Sequence, residues 1–171
     1  MAILPIRIYP DPVLRVRCPK VEVFDDALRQ LAEDMVETMI AAPGVGLAAP
    51  QVGIETRLAV VDTSVGQKSD ALRVLVNPEI VDSEGRDVDS EGCLSIPGYS
   101  DKVARPQRIV VRGQDLEGKA IEIESEDFEA RAICHEIDHL DGVLFVDHLR
   151  GLRRDRARRQ LKKLARSQQK A

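Results

Sequence analysis

Apolar residues at helical spacing mark one segment in the first third of the chain. Leucine and methionine recur there every three or four residues, at Leu28, Leu31, Met35 and Met39. Asp25 or Asp26 can cap the start of this segment, and Pro43 stops it because proline has no backbone N–H to donate. The pattern therefore predicts a helix that ends at about Ala42.

Shorter apolar runs predict four β-strands. They cover residues 58 to 61, 72 to 77, 109 to 112 and 119 to 124. The last two runs are joined by Gln-Asp-Leu-Glu-Gly, which is typical of a hairpin turn. Four prolines among the first 19 residues predict extended, turning chain before the first helix. This mixture favours an α+β fold with short, mostly antiparallel strands.

A second helix is predicted from about Ser125, whose hydroxyl can cap it, to Gly142. It contains the sequence His-Glu-Ile-Asp-His at 135–139. Histidines four residues apart lie on the same face of a helix, which is the common way to hold a hydrolytic metal ion. We therefore expect a central metal-binding helix. Cys134 is rotated about 100° from the first histidine, so we expect it to pack rather than to bind the metal.

Two histidines leave a metal ion under-coordinated, and the third ligand that metalloproteases usually supply is missing. Phe145 stands where HExxHxxGxxH has its third histidine, and no glutamate follows it. The upstream candidate is Cys93 in Glu-Gly-Cys-Leu-Ser, because a thiolate is a strong ligand for a divalent transition metal. Cys93, His135 and His139 would leave one tetrahedral position open for water. A core thiol beside two surface histidines is the alternative.

A glycine-rich segment follows the first predicted helix and runs from Pro43 to Gln51. Gly44 and Gly46 flank one apolar residue, Val45, which is typical of a loop that another backbone approaches closely. The side chain of Gln51 can donate an amide N–H to a developing negative charge. The segment lacks the lysine of a phosphate loop, and a helix stop followed by a turn is the alternative interpretation.

Composition limits the class of protein. The 171 residues are 43% hydrophobic and 32% charged, which suits one compact domain. Three cysteines are too few for a disulfide framework. We find no signal-peptide pattern and no apolar run of about 20 residues, so we expect a soluble cytoplasmic protein without a membrane or DNA partner.

The C-terminal segment is strongly basic. Residues 150–171 contain ten Lys or Arg and one acid, a charge of +9, which leaves −13 for residues 1–149. This segment is predicted to be a helix of the same single domain, with Leu152, Leu161 and Leu164 on a thin apolar stripe. Its charge favours binding to an anionic polymer such as ribosomal RNA. A solvated, charged helix is the alternative.

Together, three motifs resemble those of the peptide deformylases, bacterial enzymes that remove the formyl group from the N-terminal methionine of new proteins. They are Gly-Val-Gly-Leu-Ala-Ala-Pro-Gln, Glu-Gly-Cys-Leu-Ser and His-Glu-Ile-Asp-His, in this order. The similarity extends over almost the whole chain, including Tyr-Pro-Asp-Pro-Val-Leu-Arg near its start. It implies that residues 1–149 are the catalytic part and that the ribosome is the partner of the basic helix.

The resemblance implies one divalent metal ion in the Cys-His-His set, most often Fe²⁺, with Zn²⁺, Ni²⁺ or Co²⁺ also accepted. Glu136 would take a proton from the attacking water and pass it to the leaving amine. The Gln51 amide and the backbone N–H of Leu94 would stabilise the oxyanion. Glu91 and Arg105 would hold the cysteine loop. The substrates would be N-formylmethionyl peptides, and formate would be released.

Helical spacing predicts the residues of a methionine pocket. Phe128, Arg131 and Ala132 precede His135 by seven, four and three residues, so they share its face of the helix. We expect them to contact the methionine side chain together with Val45. Arg131 would contribute its aliphatic stem while its guanidinium reaches solvent. The backbone of Val45 and Gly46 can pair with an extended peptide as an added strand, and Gly44 is expected to bind the substrate beside them. Plain core packing of Phe128 and Ala132 is the alternative.

Two other functions use the same motifs. A thiolate-ligated metallopeptidase is disfavoured because no residues are identifiable for stabilising a cut in mid-chain. A non-enzymatic RNA- or ribosome-binding protein with a vestigial metal site is disfavoured because Glu136, Gln51 and the ligand set are all intact.

Overall fold

The structure is a computed structural model that describes residues 2–170. Its three α-helices are α1 (Asp26–Ala41), α2 (Asp127–Leu140) and α3 (Gly151–Gln169). Its strands are β1 (Gly46–Ala48), β2 (Leu58–Val61), β3 (Arg73–Glu84), β4 (Asp87–Cys93), β5 (Ile96–Arg105), β6 (Arg108–Gln114) and β7 (Ala120–Glu126). Within the described residues, no helix combines the length and the apolar character that crossing a membrane requires.

Five strands form one antiparallel sheet in the order β1-β2-β3-β6-β7, so β1 lies at one edge. Strands β4 and β5 pair with each other as a separate antiparallel hairpin. Helix α2 packs against β1, β2, β6 and β7. The predicted α+β fold, with antiparallel strands around a central helix and a further helix at the C-terminus, is confirmed.

Helix α2 is held in the centre by its apolar face. This face packs with four buried strand residues, Val61, Leu75, Ile109 and Val111. From the helix, Ile133 and Ile137 are at most 7% exposed, and each large side chain buried this way contributes about 1.5–3 kcal/mol. Cys134 lies in the same cluster at 4% exposure, so it packs as predicted.

The first predicted helix is found at its expected place. The Asp25 carboxylate accepts a hydrogen bond from the backbone N–H of Leu28 at 3.0 Å, which caps α1. Met35 and Met39 are fully buried on its inner face. The chain leaves the helix after Ala41, because the proline two residues later cannot continue it.

The second helix begins two residues later than predicted. Strand β7 runs through Glu126, and within it Ser125 pairs with Ile109 of β6. The Ser125 hydroxyl therefore does not cap the helix but donates to the Glu129 carboxylate at 2.6 Å. Helix α2 ends at Leu140, shortly before Gly142, whose φ of 75° only glycine adopts without strain.

The β4–β5 hairpin was absent from the strand prediction. Strand β4 reads Asp-Val-Asp-Ser-Glu-Gly-Cys, and most of its residues face solvent. Without alternation of apolar and polar residues, its sequence carries no strand signal. The predicted hairpin of β6 and β7 is confirmed, with longer strands than the apolar runs indicate.

Helix α3 packs on the body through a narrower apolar stripe than predicted. Ala157 and Leu161 are buried in a cluster with Phe145, and Leu164 packs at its margin. Leu152 is 82% exposed, so its assignment to the stripe was wrong. Leu152 lies in the first turn of the helix, and the buried residues of α3 begin only at Ala157.

Candidate metal centre and active site

The three predicted metal ligands lie together. Cys93 Sγ is 3.3 Å from His139 Nε2, which is 3.1 Å from His135 Nε2, and all three ligand atoms are within 4.8 Å of one another. Metal–nitrogen bonds of about 2.0–2.1 Å and a metal–sulfur bond of about 2.3 Å give tetrahedron edges of roughly 3.3–3.7 Å. The two distances from His139 Nε2 are close to these edges, so the three atoms are near enough for one ion to be held between them.

The two histidines come from α2, and the cysteine comes from the hairpin. Cys93 is the last residue of β4, where the register shifts between Gly92 and Cys93. Such an irregularity turns a side chain away from the regular ladder. The thiol thereby faces His139, 46 residues away along the chain.

Glu91 fixes the orientation of His135. Its Oε1 lies 2.7 Å from His135 Nδ1 and accepts a hydrogen bond from Arg105 at 2.6 Å. Its Oε2 accepts from Arg105 Nε and from Arg131 Nη1, each at 2.9 Å. A proton held on Nδ1 by this carboxylate leaves His135 Nε2 free to bind a metal ion.

The hydrogen-bond network extends beyond Glu91 to residues that the sequence did not single out. The Arg105 guanidinium also donates to Asp138 Oδ2 at 2.7 Å, and His148 Nε2 lies 2.8 Å from the same oxygen. Asp138 lies inside the His-Glu-Ile-Asp-His motif, but nothing in that motif predicts that it pairs with Arg105 of β5. Arg105 thus ties the hairpin to α2 directly through Asp138 and, by way of Glu91, through His135.

Glu136 points into the space beside the ligands. It is 4% exposed, and its Oε1 is buried with no hydrogen-bond partner among the described residues. A Cβ atom added at Gly46 would come within 2.5 Å of Glu136 Oε2, so only glycine leaves room for this carboxylate. Burial raises the pKa of Glu136 to about 7, so the carboxyl can hold a proton near neutral pH.

The side-chain amide of Gln51 is oriented by the backbone. Its Oε1 accepts a hydrogen bond from the backbone N–H of Ala48 at 3.0 Å. Its Nε2 donates to Ser95 Oγ at 3.1 Å and lies 3.7 Å from Cys93 Sγ. The amide nitrogen, rather than the oxygen, therefore faces the metal site.

A cavity of about 550 Å³ opens beside these residues. All of the predicted pocket and catalytic residues line it: Gly44, Val45, Gly46, Gln51, Leu94, Phe128, Arg131, Ala132 and Glu136. Cys93 and His135 also line the cavity, whereas His139 does not. Phe128 is 54% exposed and stands at the rim.

The donor set fits a divalent transition metal. A thiolate and two imidazole nitrogens are ligands that Fe²⁺, Zn²⁺, Ni²⁺ and Co²⁺ accept, and they converge on one point here. The unpartnered Glu136 Oε1 is buried next to this set, where it can accept a hydrogen bond from a water molecule.

The family model of the polypeptide deformylases matches residues 3–155. The chain belongs to the polypeptide deformylase family. Peptide deformylases with similar sequences include one from Thermodesulfovibrio yellowstonii, 49% identical over 162 residues that cover 95% of this chain and 98% of the relative. Another, from Alkalilimnicola ehrlichii, is 52% identical over 166 residues, covering 97% of this chain and 93% of the relative.

Solved structures of deformylases have the same fold. The peptide deformylase from Legionella pneumophila superposes with a TM-score of 0.89 at 46% identity, covering 99% of each chain. That from Thermus thermophilus also gives a TM-score of 0.89, at 43% identity, covering 96% of this chain and 99% of the other. At this similarity the chain is an enzyme of the deformylase family.

The position of Arg131 corrects one prediction for this deformylase. Its guanidinium does not reach solvent, because the side chain is only 3% exposed. It donates to Glu91, to the backbone oxygen of Val103 at 2.8 Å and to that of Asp87 at 2.8 Å. Arg131 therefore lines the cavity and also joins α2 to the hairpin.

Glu91 makes the stability of this deformylase depend on pH. Burial alone would raise its pKa, but the hydrogen bonds from Arg105 and His135 outweigh burial and lower the pKa from 4.5 to about 2. Between these two values the unfolded chain binds more protons than the folded chain. The stabilisation is therefore complete above pH 4.5 and is lost as the pH falls towards 2.

We expect the Glu91→Gln variant to have a lower free energy of unfolding than the wild type. This difference in free energy should shrink by about 3 kcal/mol as the pH falls from 4.5 to 2. Urea unfolding of both metal-free proteins across this range measures it. Glu124→Gln, which removes an exposed partner of Arg108, is the control and should change little. A difference in free energy of unfolding between wild type and Glu91→Gln that does not vary with pH would contradict the lowered pKa of Glu91.

Proposed function

We propose that this enzyme is a metal-dependent hydrolase that removes the formyl group from the N-terminal formylmethionine of newly made polypeptides and releases formate. The observation that carries the proposal is the convergence of Cys93, His135 and His139 beside the buried, unpartnered Glu136 Oε1. This arrangement combines a hydrolytic metal site with a proton acceptor. Such processing of new chains would take place in the cytoplasm.

Cys93, His135 and His139 would hold a single divalent ion, and Fe²⁺ is our choice for the physiological metal, with Zn²⁺, Ni²⁺ and Co²⁺ as substitutes. When bound, the ion supplies Lewis-acid chemistry, lowering the pKa of water and polarising the formyl oxygen. Glu91 would keep the His135 ring in its ligating orientation through the 2.7 Å contact.

Glu136 would move the proton. Its Oε1 accepts a proton as water adds to the formyl carbon, and the burial of this carboxyl, which raises its pKa, favours that transfer. The same oxygen then donates the proton to the amine nitrogen as the carbon–nitrogen bond breaks. The products are formate and a peptide with a free methionyl amine.

Gln51 and Leu94 would stabilise the negative charge on the formyl oxygen. Gln51 Nε2 is aimed at the site because its oxygen is held by Ala48. Leu94 follows Cys93 in the hairpin turn and lines the cavity, where its backbone N–H can supply a second donor.

Replacing Gln51 by leucine should lower kcat about 10²- to 10³-fold, because one preformed donor to the oxyanion is lost. Steady-state formate release by the metal-loaded variant measures this effect. Gln30→Leu, a change on the exposed side of α1 where Gln30 pairs with Asp34, is the control. An unchanged kcat for Gln51→Leu would remove Gln51 from the mechanism.

The substrate would lie along the edge of the sheet. Among residues 2–170, strand β1 pairs only with β2, so its other edge can add an extended peptide as a strand. Gly44, Val45 and Gly46 would bind the peptide backbone there. Phe128, Ala132 and the stem of Arg131 would contact the methionine side chain on the α2 side of the cavity.

The basic helix α3 would belong to the same domain as residues 1–149 and would dock on the ribosome. Its stripe of Ala157 and Leu161 is buried against the body, while Arg158 and Lys162 face solvent. Reversing the charge of Arg158 and Lys162 should weaken co-sedimentation with ribosomes at low salt without exposing the core. Unchanged co-sedimentation of this double variant would refute the docking proposal.

Formate release from a formyl-Met-Ala-Ser peptide by protein loaded anaerobically with Fe²⁺ tests the function directly. Release of formate with an intact Met-Ala-Ser product supports deformylation. Cleavage between Met and Ala would instead favour a metallopeptidase. Absence of both reactions in metal-replete protein would refute the proposed function.

A further inference from the structure

Tyr99 stands between the substrate cavity and the C-terminal helix. This residue of β5 lines the cavity of the metal centre. It also lines a second, smaller groove whose opposite wall is formed by Gln160, Lys163 and Leu164 of α3. Tyr99 therefore separates the cavity from the groove, and a contact between α3 and Tyr99 can change the shape of the cavity.

Asp101 fixes the hydroxyl end of Tyr99. The Tyr99 hydroxyl donates to Asp101 Oδ2 at 2.9 Å, and the Asp101 side chain is only 10% exposed. Its Oδ1 accepts from the backbone N–H of Lys102 at 2.8 Å and lies 3.9 Å from Arg153 Nε of α3. The carboxylate is thus shared between the cavity wall and the helix.

The charge of Asp101 is maintained by its neighbours. Burial alone would raise its pKa, but the hydrogen bonds from Lys102 and Tyr99 and the positive charges of Arg153 and Arg156 outweigh burial and lower the pKa. An ionised acceptor makes a stronger hydrogen bond than a neutral one. Asp101 therefore restrains the Tyr99 hydroxyl at neutral pH.

The ring of Tyr99 is fixed from the other side by aromatic packing. Its centroid is 6.3 Å from that of Phe145, at an interplanar angle of 21°. Phe145 is 1% exposed, and its ring lies 6.2 Å from the His135 ring. Phe145 therefore supports one face of the Tyr99 ring, and the hydroxyl end is held by Asp101.

Resting on the proposed deformylase function, we propose that Asp101 is a positioning residue that links α3 to Tyr99. Held in this way, Tyr99 forms the part of the cavity wall that binds the peptide beyond its formylmethionine. Gly98 and Ser100, on either side of Tyr99, are exposed, so this wall lies at the rim of the cavity. Hydrogen bonds of Tyr99 and Asp101 reach neither Glu136 nor Gln51. The network therefore acts on peptide affinity and leaves the chemical step unchanged.

Asp89→Ala is the matched control for Asp101→Ala. Asp89 in β4 also accepts a hydrogen bond from the next backbone N–H, that of Ser90 at 2.7 Å. Among the described residues, the Asp89 side chain makes no hydrogen bond or ion pair with Tyr99 or α3. The two variants therefore lose the same local contact, and only Asp101→Ala releases Tyr99.

The test is the KM and kcat of the full-length, metal-loaded proteins with formyl-Met-Ala-Ser and with formylmethionine amide. We expect Asp101→Ala to raise the KM of the longer substrate about fivefold with kcat within about twofold, and to change the KM of the shorter one much less. Asp101→Asn should recover most of the affinity, since its amide oxygen still accepts from Tyr99. Asp89→Ala should match the wild type.

Equal effects of Asp101→Ala and Asp89→Ala, an unchanged KM, or a fall in kcat at constant KM would each overturn the proposal. If Asp101→Ala does not fold, Tyr99→Phe replaces it, because this change removes only the hydroxyl. An unchanged KM in Tyr99→Phe would then overturn the proposal. A wild type that releases no formate from either substrate would refute the proposed function instead, so the two failures are distinguishable.

Discussion

The Glu136→Gln protein is expected to bind its metal ion with the wild-type stoichiometry and to release formate about 10⁴-fold more slowly. Glutamine has almost the same shape as glutamate, so it fits against Gly46, where a Cβ would lie within 2.5 Å of the carboxylate. The amide cannot accept a proton from water or return it to the amine. Both proton transfers are therefore lost while the site remains assembled.

Metal analysis tests whether the variant still binds its ion, and single-turnover formate release tests the expected loss of rate. Glu129→Gln is the control, because Glu129 lies on the same helix and contacts Ser125 and Arg73 away from the metal site. It should retain wild-type activity. If Glu136→Gln kept full activity with its metal bound, another group would have to be the proton acceptor.

The Cys93→Ala protein is expected to lose both metal binding and activity. Two histidines alone leave the ion without its third protein ligand, and the lost thiolate is the only anionic donor among the three. Loss of a residue that merely supports a ligand costs about 10- to 100-fold in metal affinity, so loss of the ligand itself should cost more.

Cys134→Ala separates ligand loss from the general effect of removing a thiol near the centre. Cys134 is buried beside His135 in the chain but packs with Val61 and Leu75. This control should keep its metal, with a small loss of stability. Thiolate-to-cobalt charge-transfer absorption of the Co²⁺-loaded proteins should persist in Cys134→Ala and vanish in Cys93→Ala. Its persistence in Cys93→Ala would mean that another thiol binds the metal.

The candidate site also shows where spacing along a helix stops being informative. Helical periodicity correctly places Arg131 on the face of α2 that His135 occupies, and Arg131 does line the cavity. It does not reveal that the guanidinium turns inward, since its partners Asp87 and Val103 lie 44 and 28 residues away. The same limit applies to Tyr99, whose sequence context shows no link to α3.

The sequence by itself determined the chemical types in the site and the helices that carry them. Apolar periodicity and capping residues depend on neighbours along the chain, so α1 could be predicted closely. HEIDH likewise already contains both candidate imidazole ligands. The resemblance already linked Glu91 with Arg105, but only the tertiary structure decided that Glu91 also joins His135 and Arg131, because these contacts depend on a hairpin without apolar alternation. Contacts between distant segments follow from packing of the whole chain, which no local pattern encodes.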